Sequence, residues 1–433
     1  MNEIQEEVLN VNGYNLHLIP NKKFKTINLV AKFKAPLQKS TITKRALLPY
    51  VLKQGPKSYP SRKDLQTKLD SLYGAVLSID SGKKGENHII SMRLEVANQK
   101  FIPNETGILE EAVQLLNDVI FNPNSNAGSF NPEIFNREKN TLKQKINSIK
   151  DDKMNFANMR LIDEMCEGEP YQLHVHGYEE DLTDLTAQNT FGYYQSLLQE
   201  DELDLFVLGD FDSQEMKNLI SNTIERSSTG KAARDKNATS GQGQSNKQKP
   251  NEVIEKQNIQ QAKLHIGYRT NCTYSDDGYP ALQVFNGILG AFPSSKLFIN
   301  VREKNSLAYY ASSRLESHKG LLLVFSGIAP EDYEKAREII ELQMSAMKNG
   351  DVSESELKET KDLIVNQLLE TLDHPQGIIE MLYQQVIAET SLKPSQLIEK
   401  IKKVTLDEVV QIASKVEEDT VYLLTTSGGE PGE

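Results

Sequence analysis

Two short stretches of the chain, far apart, alternate between apolar and polar positions. In INLVAKFK (residues 27–34) every second residue is apolar, and Asn28 and Lys32 are among the residues between them. KLHIGYR (residues 263–269) shows the same period. The apolar positions are Ile27, Leu29, Ala31 and Phe33 in the first stretch and Leu264, Ile266 and Tyr268 in the second. A period of two predicts a β-strand with one face in a core.

The same order of elements follows each of these strands. A helical segment comes next, residues 42–55 in one half and 279–290 in the other, and glycines end or loosen it: Gly55, and then Gly287 and Gly290. Paired strand candidates follow, SLYGAVLSID with HIISMRLEV and SLAYYASSR with GLLLVFSGI. An amphipathic helix, a longer helix and a closing strand, LDLFVLGDF or TVYLLTTS, complete each half. The chain therefore contains an internal repeat.

The periodicity of the later helices is similar in the two halves. The amphipathic helices have apolar residues at helical spacing, namely Ile108, Ala112, Leu115, Leu116 and Val119, and Ala336, Ile340, Met344 and Met347. The longer helices have Leu142, Ile146 and Ile149, and Leu357, Ile364 and Leu368. Strands followed by helix pairs predict an α+β fold of two homologous domains, each a mostly antiparallel sheet covered on one face by helices.

A polar segment separates the two halves. Residues 227–252 are rich in Ser, Gly, Lys, Asn and Gln and contain almost nothing that a core could bury. We therefore predict a first domain at residues 1–226, a linker at 227–260 and a second domain at 261–433.

Composition excludes several classes of function. The 49 Lys and Arg residues face 61 Asp and Glu residues, and a net charge of −12 disfavours nucleic acid as a partner. The first residues lack the pattern of a signal peptide and no segment is long enough to span a bilayer, so a cytoplasmic protein without a membrane partner is expected. Cys166 and Cys272 are too few and too far apart for a disulfide scaffold or a cysteine-rich zinc site.

The repeat contains two distinctive phrases, FPSSKLFINVREKNSLAYYASS (residues 292–313) and EPYQLHVHGYEEDL (residues 169–182). Together they resemble the pitrilysin/insulinase family of inverted-motif zinc peptidases over nearly the whole chain. The most similar members are bacterial two-component peptidases and, more distantly, the mitochondrial processing peptidase. In these, one subunit binds zinc and a similar subunit, the alpha subunit in the mitochondrial enzyme, does not.

The resemblance implies a zinc motif that this chain lacks. In the family, H-x-x-E-H on the first long helix supplies two zinc ligands and a general base, and a glutamate on a later helix is the third ligand. Aligned on Gly55, the motif positions are occupied by Ala46, Pro49 and Tyr50, and the third ligand position by Lys145. None of these side chains is a suitable ligand or base. We expect no metal or other cofactor on this chain.

Other residues offer little replacement for the motif. A proline inside a helix costs about 3 kcal/mol, so Pro49 also argues against a rigid ligand-holding helix. His17 and His88 lie on separate strand-like segments. His174 and His176, in QLHVHGY, would supply two of the roughly four ligands that zinc requires, and the alternative is that they are ordinary loop histidines.

A second feature of the family is present. Catalytic members have an Arg and a Tyr seven residues apart in the second domain, which reach the substrate bound at the zinc, and Arg302 and Tyr309 match them in REKNSLAY. A guanidinium and a phenol can stabilise negative charge on a carbonyl oxygen under attack. The alternative is that Arg302 is a solvated helix residue near Glu303 and Tyr309 a half-buried strand aromatic, with Tyr310 on the opposite face.

Two hypotheses follow. In the first, the chain is the non-zinc subunit of a heterodimeric metallopeptidase, supplying Arg302 and Tyr309 in trans to a homologous H-x-x-E-H subunit that binds zinc and a peptide substrate. In the second, it is a catalytically inert homologue that binds peptide or protein as a scaffold in peptide maturation or protein modification. A self-sufficient zinc peptidase is a third hypothesis. Pairing of identical chains in the isolated protein stays open.

Overall fold

Two large sheets and the helices around them form the protein. The computed structural model describes residues 4–226 and 250–427. The strands of the first half are β1 (Glu7–Val11), β2 (Tyr14–Pro20), β3 (Thr26–Pro36), β4 (Val76–Lys84), β5 (Asn87–Ala97), β6 (Ser125–Asn126), β7 (Ser129–Phe130) and β8 (Glu202–Gly209). Those of the second half are β9 (Asn251–Gln257), β10 (Ala262–Arg269), β11 (Ala308–Glu316), β12 (Leu321–Ile328) and β13 (Glu417–Thr426).

The helices follow the order that the repeat predicts. Those of the first half are α1 (Lys39–Leu52), α2 (Arg62–Ser71), α3 (Ile108–Phe121), α4 (Pro132–Ser148), α5 (Lys153–Met165), α6 (Ala187–Glu200) and α7 (Ser213–Thr223). Those of the second half are α8 (Tyr279–Asn286), α9 (Tyr333–Asn349), α10 (Glu354–Thr371), α11 (Pro375–Ala388), α12 (Pro394–Lys403) and α13 (Leu406–Lys415). Two π-helical segments, Gly287–Ala291 and Phe298–Lys304, lie between α8 and β11.

Apart from the additional edge strand β1 of the first sheet, the two sheets have the same topology. The first has the strand order β1-β2-β8-β3-β5-β4 and the second, read from its other end, β9-β13-β10-β12-β11. In both, a parallel pair (β2 with β8, β9 with β13) joins a run of antiparallel pairs. The α+β fold and the repeat are thus confirmed.

The strand β9 lies inside the segment predicted as a linker, residues 227–260, so the second sheet begins earlier than expected. Half-buried and exposed residues alternate along β9, and its sequence, NEVIEKQ, is mostly polar. It pairs with β13 through its backbone at the edge of the sheet. Such a strand has little apolar periodicity for the sequence to reveal. Residues 227–249 of the predicted linker lie outside the described residues.

Helices of the same half cover one face of each sheet. The apolar positions predicted for β3 and β10 are buried there; Ile27, Leu29, Ala31 and Phe33 are at most 1% exposed. They pack with the buried faces of α1 and α3 in the first half, and the β10 residues pack with α8 and α9 in the second. Burial of these apolar side chains is the main stabilising contribution to each half.

One helix from the opposite half covers part of the other face of each sheet. Residues of α5, in the first half, pack on β12 and β13, and residues of α11, in the second half, pack on β3, β5 and β8. Asn28 and Lys32, on the polar side of β3, are therefore buried rather than solvated. Each half therefore contributes one helix to the sheet of the other half. We call α5 and α11 the exchanged helices.

Local sequence features fix the ends of the helices near the candidate site. Gly55 has a φ of +118°, and a β-carbon there would lie 2.1 Å from the Tyr59 carbonyl oxygen, so only glycine fits after α1. α8 ends at Asn286 and a π-helical turn begins at Gly287, where the sequence predicted that glycine loosens or ends the helix. No helix in the described part of the chain combines the length and apolarity needed to cross a bilayer.

Candidate functional site

The positions that hold zinc in the pitrilysin/insulinase family lie on α1 and α4, which pack together, but their side chains do not fit a metal. Ala46 and Pro49 are buried, Tyr50 is half-buried and Lys145 is exposed on α4. Throughout residues 4–226 and 250–427, no group of three or more His, Cys, Asp or Glu side chains is arranged to hold a metal ion.

Tyr50 has one carboxylate in its surroundings, Glu138 on α4. Burial and the charge of Glu138 raise the pKa of Tyr50, so its phenol stays protonated near neutral pH. Glu138 is only 6% exposed and pairs with Arg137, whose Nε is 2.8 Å from Glu138 Oε1. Arg137 Nη2 also donates to Gln54 Oε1 at 2.8 Å. A neutral phenol and a carboxylate engaged by arginine are poor ligands for zinc.

A buried arginine next to the motif positions binds α1 to the sheet. Arg45 Nη1 is 2.6 Å from Asp201 Oδ2, and its Nη2 donates to the carbonyl oxygens of Phe33 and His88. Arg45 Nε donates to His88 Nδ1 at 3.0 Å. Burial and the charge of Arg45 lower the pKa of His88 to about 3, which keeps this histidine neutral. A fixed cation thus lies on the helix that binds metal in the family, next to the motif position Ala46.

The two histidines of QLHVHGY have different surroundings, and His174 is held by protein groups. His174 Nε2 lies 2.7 Å from Asp163 Oδ1, and its ring stacks on Tyr178 with centroids 4.8 Å apart. Burial, then the charges of Lys145 and His174, lower the pKa of His176. A nearby lysine repels a metal cation, so this pair does not form the core of a metal site.

Arg302 projects from the second π-helical segment, Phe298–Lys304, and is exposed. Its guanidinium carbon lies 4.6 Å from the centroid of the Phe298 ring, close enough for a cation–π contact. Among the described residues it forms no ion pair, with Glu303 or with any other carboxylate. The guanidinium is therefore oriented by an aromatic ring while its N–H groups stay available.

Tyr309 lies on β11, the last strand of the second sheet, and its side chain is 71% exposed. The pairing with β12 shifts here, since Ala308 is opposite Ile328 and Tyr310 is opposite Gly327. Tyr309 is the extra residue of a β-bulge, a feature that is common next to active sites, where it redirects a side chain.

The bulge decides which tyrosine is structural. Residues two apart in a regular strand share a face, yet Ala308 packs in the core of the second half and Tyr310 packs against the cluster around α5. Burial raises the pKa of Tyr310. Tyr309 is therefore not the half-buried strand aromatic of the alternative interpretation; Tyr310 has that role.

The backbone brings Arg302 and Tyr309 to one corner of the second half. Ser306 N donates to Arg302 O at 3.1 Å, and Leu307 N donates to Val301 O at 3.1 Å, so the chain reverses from the π-helical segment directly into β11. Ser306 adopts a left-handed conformation with a φ of 53° to make this turn. Two exposed donors, a guanidinium and a phenol, thus flank a short hydrogen-bonded turn. Their catalytic role stays a prediction.

Comparison with known proteins identifies relatives of the whole chain and of parts of it. A family profile described as "Peptidase M16 inactive domain" matches residues 184–364. The chain is 46% identical, over 96% of its own length and 97% of the relative's, to the "Probable inactive metalloprotease YmfF" of Bacillus subtilis. It is 28% identical over 35% of its length, and 38% of the relative's, to the "Antilisterial bacteriocin subtilosin biosynthesis protein AlbE" of Bacillus subtilis. A crystal structure of a conserved protein from Enterococcus faecalis V583 matches with a TM-score of 0.89 and 34% identity, covering 98% of this chain and 100% of that chain.

Proposed function

Because the chain belongs to the M16 peptidase family as an inactive member, we propose that it is the non-zinc subunit of a heterodimeric peptidase. Its partner is a homologous H-x-x-E-H subunit, which binds the zinc and supplies the general base. The observation that supports this division of roles between the two subunits is the contrast between the two halves of the chain. Ala46, Pro49 and Tyr50 are not metal ligands, whereas Arg302 and Tyr309 are exposed on the second half.

The role of Arg302 and Tyr309 is to bind the carbonyl group of a peptide held between the two subunits. Attack on a peptide carbonyl develops negative charge on oxygen, and hydrogen-bond donors already oriented toward it lower the barrier. The phenol of Tyr309 donates one hydrogen bond and the guanidinium of Arg302 adds charge. Removing one donor of this kind typically lowers kcat by a factor of about 10²–10³.

The ends of the sheets provide places for the peptide backbone. β4 and β11 are terminal strands, and each lacks a further strand partner among the described residues. An extended peptide can add to such a strand through main-chain hydrogen bonds, while alternate side chains provide specificity. Tyr309, at the start of β11, would lie beside a peptide bound to that strand.

The test is reconstitution with a zinc-bearing homologue. The two chains are co-expressed and purified, and cleavage of a peptide library is compared for the wild-type pair, each chain alone and an Arg302→Ala, Tyr309→Phe variant. We expect cleavage only by the pair, and a loss of at least about 100-fold in kcat/KM for the variant. The loss from both changes together need not be the product of the single losses, because the two donors act on the same group.

A matched control separates this role from folding. Arg62→Ala with Tyr59→Phe alters an arginine and a tyrosine of the first half and should leave kcat/KM unchanged. Complex formation and thermal midpoint should also match the wild type in the Arg302→Ala, Tyr309→Phe variant, because both residues are exposed. They should match in the control as well, because Arg62 is exposed and Tyr59→Phe keeps the ring that packs on the core. Unchanged turnover in the Arg302→Ala, Tyr309→Phe pair would remove the assigned role.

A second candidate function is supported by the similarity to AlbE, which is named as a biosynthesis protein of the peptide subtilosin. In that case the chain binds a precursor peptide as a catalytically inert scaffold during maturation. The reconstitution distinguishes the two functions. A scaffold would be required for peptide capture by the pair, while the Arg302→Ala, Tyr309→Phe variant would cleave at the wild-type rate.

A further inference from the structure

The strand β9 is the place where the repeat of the two sheets is incomplete. Its counterpart in the first sheet, β2, pairs in parallel with the closing strand β8 and antiparallel with β1 on its other side. β9 pairs in parallel with the closing strand β13, and no strand of residues 4–226 or 250–427 lies on its other side. The fold therefore has room for one more antiparallel strand next to β9, and in the first sheet that position is filled.

Every second residue of β9 directs its backbone groups to this open edge. Ser427 N donates to Gln257 O, which continues the parallel ladder between β13 and β9. In a parallel pair, both backbone groups of every second residue bond to the neighbouring strand, so Gln257 and each second residue before it face β13. The N–H and C=O groups of Glu252, Ile254 and Lys256 consequently point away from the sheet.

The exposed side chains of β9 belong to the same three residues. Glu252, Ile254 and Lys256 are exposed, while the residues between them are half-buried. Ile254 is 51% exposed in the middle of the strand. The Tyr333 hydroxyl donates to Glu252 Oε1 at 2.5 Å, whereas Lys256 forms no ion pair with a residue of the described part of the chain. An apolar side chain thus lies between a carboxylate and an ammonium group at the edge of the sheet.

The order of these three residues is complementary to itself in an antiparallel pair. When two copies of β9 pair about Ile254, Glu252 of each copy lies opposite Lys256 of the other, and the two isoleucines lie opposite each other. Residues directly opposite share a face of the sheet, so opposite charges meet and the apolar side chains pack together. Charged residues on an edge strand ordinarily prevent pairing. On β9 they are placed so that a second copy is the partner they favour.

The backbone fits the same register. Because Glu252, Ile254 and Lys256 all present N–H and C=O outward, each of the three cross-strand pairs exchanges two hydrogen bonds, about six in total. Pro250 precedes the strand and has no N–H, so the pairing ends there. The two-fold axis passes between the two copies of Ile254, and a contact with this symmetry closes on itself as a dimer.

We propose that two copies of this chain form a dimer through β9, with Ile254 at the two-fold axis and Glu252 of each copy paired with Lys256 of the other. The pairing joins the two second sheets into one continuous sheet. β9 and β11 are the opposite ends of that sheet, so the dimer leaves the edge that carries Tyr309 free. The dimer does not depend on the proposed function, because it needs no zinc-bearing partner.

The first measurement is the mass of the full chain in solution, by analytical ultracentrifugation from micromolar to near-millimolar concentration. One short strand from each copy buries less area than a standard interface, so we expect a weak dimer with a Kd of about 10–100 µM. A monomer over the whole range would overturn the proposal. A mass that rises beyond the dimer would also overturn it, because the two-fold contact is closed.

Charge reversal tests the register. In Glu252→Lys each of the two ion pairs becomes a pair of like charges, and the same holds for Lys256→Glu. Each variant should weaken the dimer by at least about tenfold, the equivalent of about 1.4 kcal/mol. An equimolar mixture of the two variants should dimerise with the wild-type Kd, because every cation again lies opposite a carboxylate. Unchanged Kd values in the single variants, or no recovery in the mixture, would overturn the proposal.

Val8 provides the matched control, because it is a 54% exposed apolar residue on β1, the edge strand of the other sheet. Ile254→Lys should abolish the dimer by placing two ammonium groups at the axis, and Val8→Lys should leave the Kd unchanged. Loss of the dimer in Val8→Lys would place β1 of a second copy on β9 and would overturn the proposal.

A disulfide tests the position of the axis. The Cα atoms of a hydrogen-bonded antiparallel pair lie about 5.5 Å apart, within the range that a disulfide spans. Ile254→Cys should therefore form a covalent dimer under mild oxidation, whereas Val8→Cys should stay a monomer. Cys166 and Cys272 are buried and should not react. Equal cross-linking of Ile254→Cys and Val8→Cys would show random collision rather than a β9 dimer and would overturn the proposal.

Discussion

Gly267, on β10 of the second half, lies against the thioether of Met165, on α5 of the first half. A β-carbon at Gly267 would be 2.5 Å from Met165 Sδ and 3.5 Å from Leu161 Cδ1. Met165 and Leu161 are at most 2% exposed, so neither side chain can move into solvent. The glycine allows the exchanged helix to lie directly on the second sheet.

We predict that Gly267→Ala destabilises the protein by about 1–3 kcal/mol, the usual cost of overpacking a buried contact. The free energy of unfolding is measured by urea titration. Gly192→Ala is the control, because that glycine is exposed on α6 with open space around its α-carbon, and alanine there should stabilise by up to about 1 kcal/mol. Equal stability of Gly267→Ala and the wild type would show that α5 does not pack tightly on β10.

Periodicity was sufficient to predict the two sheets but not the environment of their polar faces. The alternation in β3 placed Ile27 and Phe33 correctly in the core of the first half, and it marked Asn28 and Lys32 as residues of the other face. Nothing in the pattern showed that α11 covers that face. Lys32 meets its partner Glu380 across 348 positions of sequence, a separation that no local pattern encodes.

The sequence predicted which residues form the candidate site, but it did not predict how their side chains are arranged. The spacing of Arg302 and Tyr309 is visible in the sequence, but the bulge at Tyr309 depends on how β11 pairs with β12. The buried role of Arg45 was missed, because arginine is rarely fully buried and its partners Asp201 and His88 are distant in the sequence.

The ion pair of Lys32 and Glu380 gives a second prediction for the exchange of helices. The Lys32 side chain is 3% exposed, and its ammonium lies 4.6 Å from the centroid of the Tyr383 ring. Glu380→Gln would leave this buried cation without its carboxylate. Loss of one partner from a buried pair costs about 3–5 kcal/mol; because Glu380 is 35% exposed, we expect about 1–3 kcal/mol from urea titration.

Glu359→Gln, at an exposed position of α10, is the matched control and should change the free energy of unfolding by less than about 0.5 kcal/mol. A Glu380→Gln variant as stable as this control would mean that solvent, rather than Glu380, compensates the charge of Lys32.

The substitutions in the metal motif predict that zinc has no effect on stability. A ligand that binds only the folded state raises the free energy of unfolding with its concentration, by about 2.7 kcal/mol at 100 times its Kd. We expect the thermal midpoint to be the same with micromolar zinc and with a chelator. Dialysis followed by elemental analysis should find well below one zinc per chain.

Stoichiometric zinc would contradict this prediction, and a variant identifies the ligands in that case. Loss of the metal in His174→Ala, His176→Ala would assign it to the pair in QLHVHGY. A metal retained by that variant and lost in Tyr50→Phe would instead place it at the position of the family motif.

The pH dependence of stability follows from His17, which is 3% exposed between two carboxylates. Burial alone would lower its pKa, but Asp204 and Glu6, at 3.1 and 2.7 Å from its ring nitrogens, raise the pKa above the usual value. The protonated ring therefore stabilises the folded state fully below about pH 6.5, and this contribution is lost as the pH rises through the raised pKa.

His17→Gln removes that titration. We predict that the difference in free energy of unfolding between wild type and His17→Gln shrinks steadily from pH 6 to pH 9, measured by urea titration at each pH. Glu7→Gln, on an exposed residue of β1, should keep the wild-type pH profile, because Glu7 does not contact the ring. A constant difference between wild type and His17→Gln across this range would show that His17 is neutral in the folded protein, so that its single N–H donates to only one of the two carboxylates.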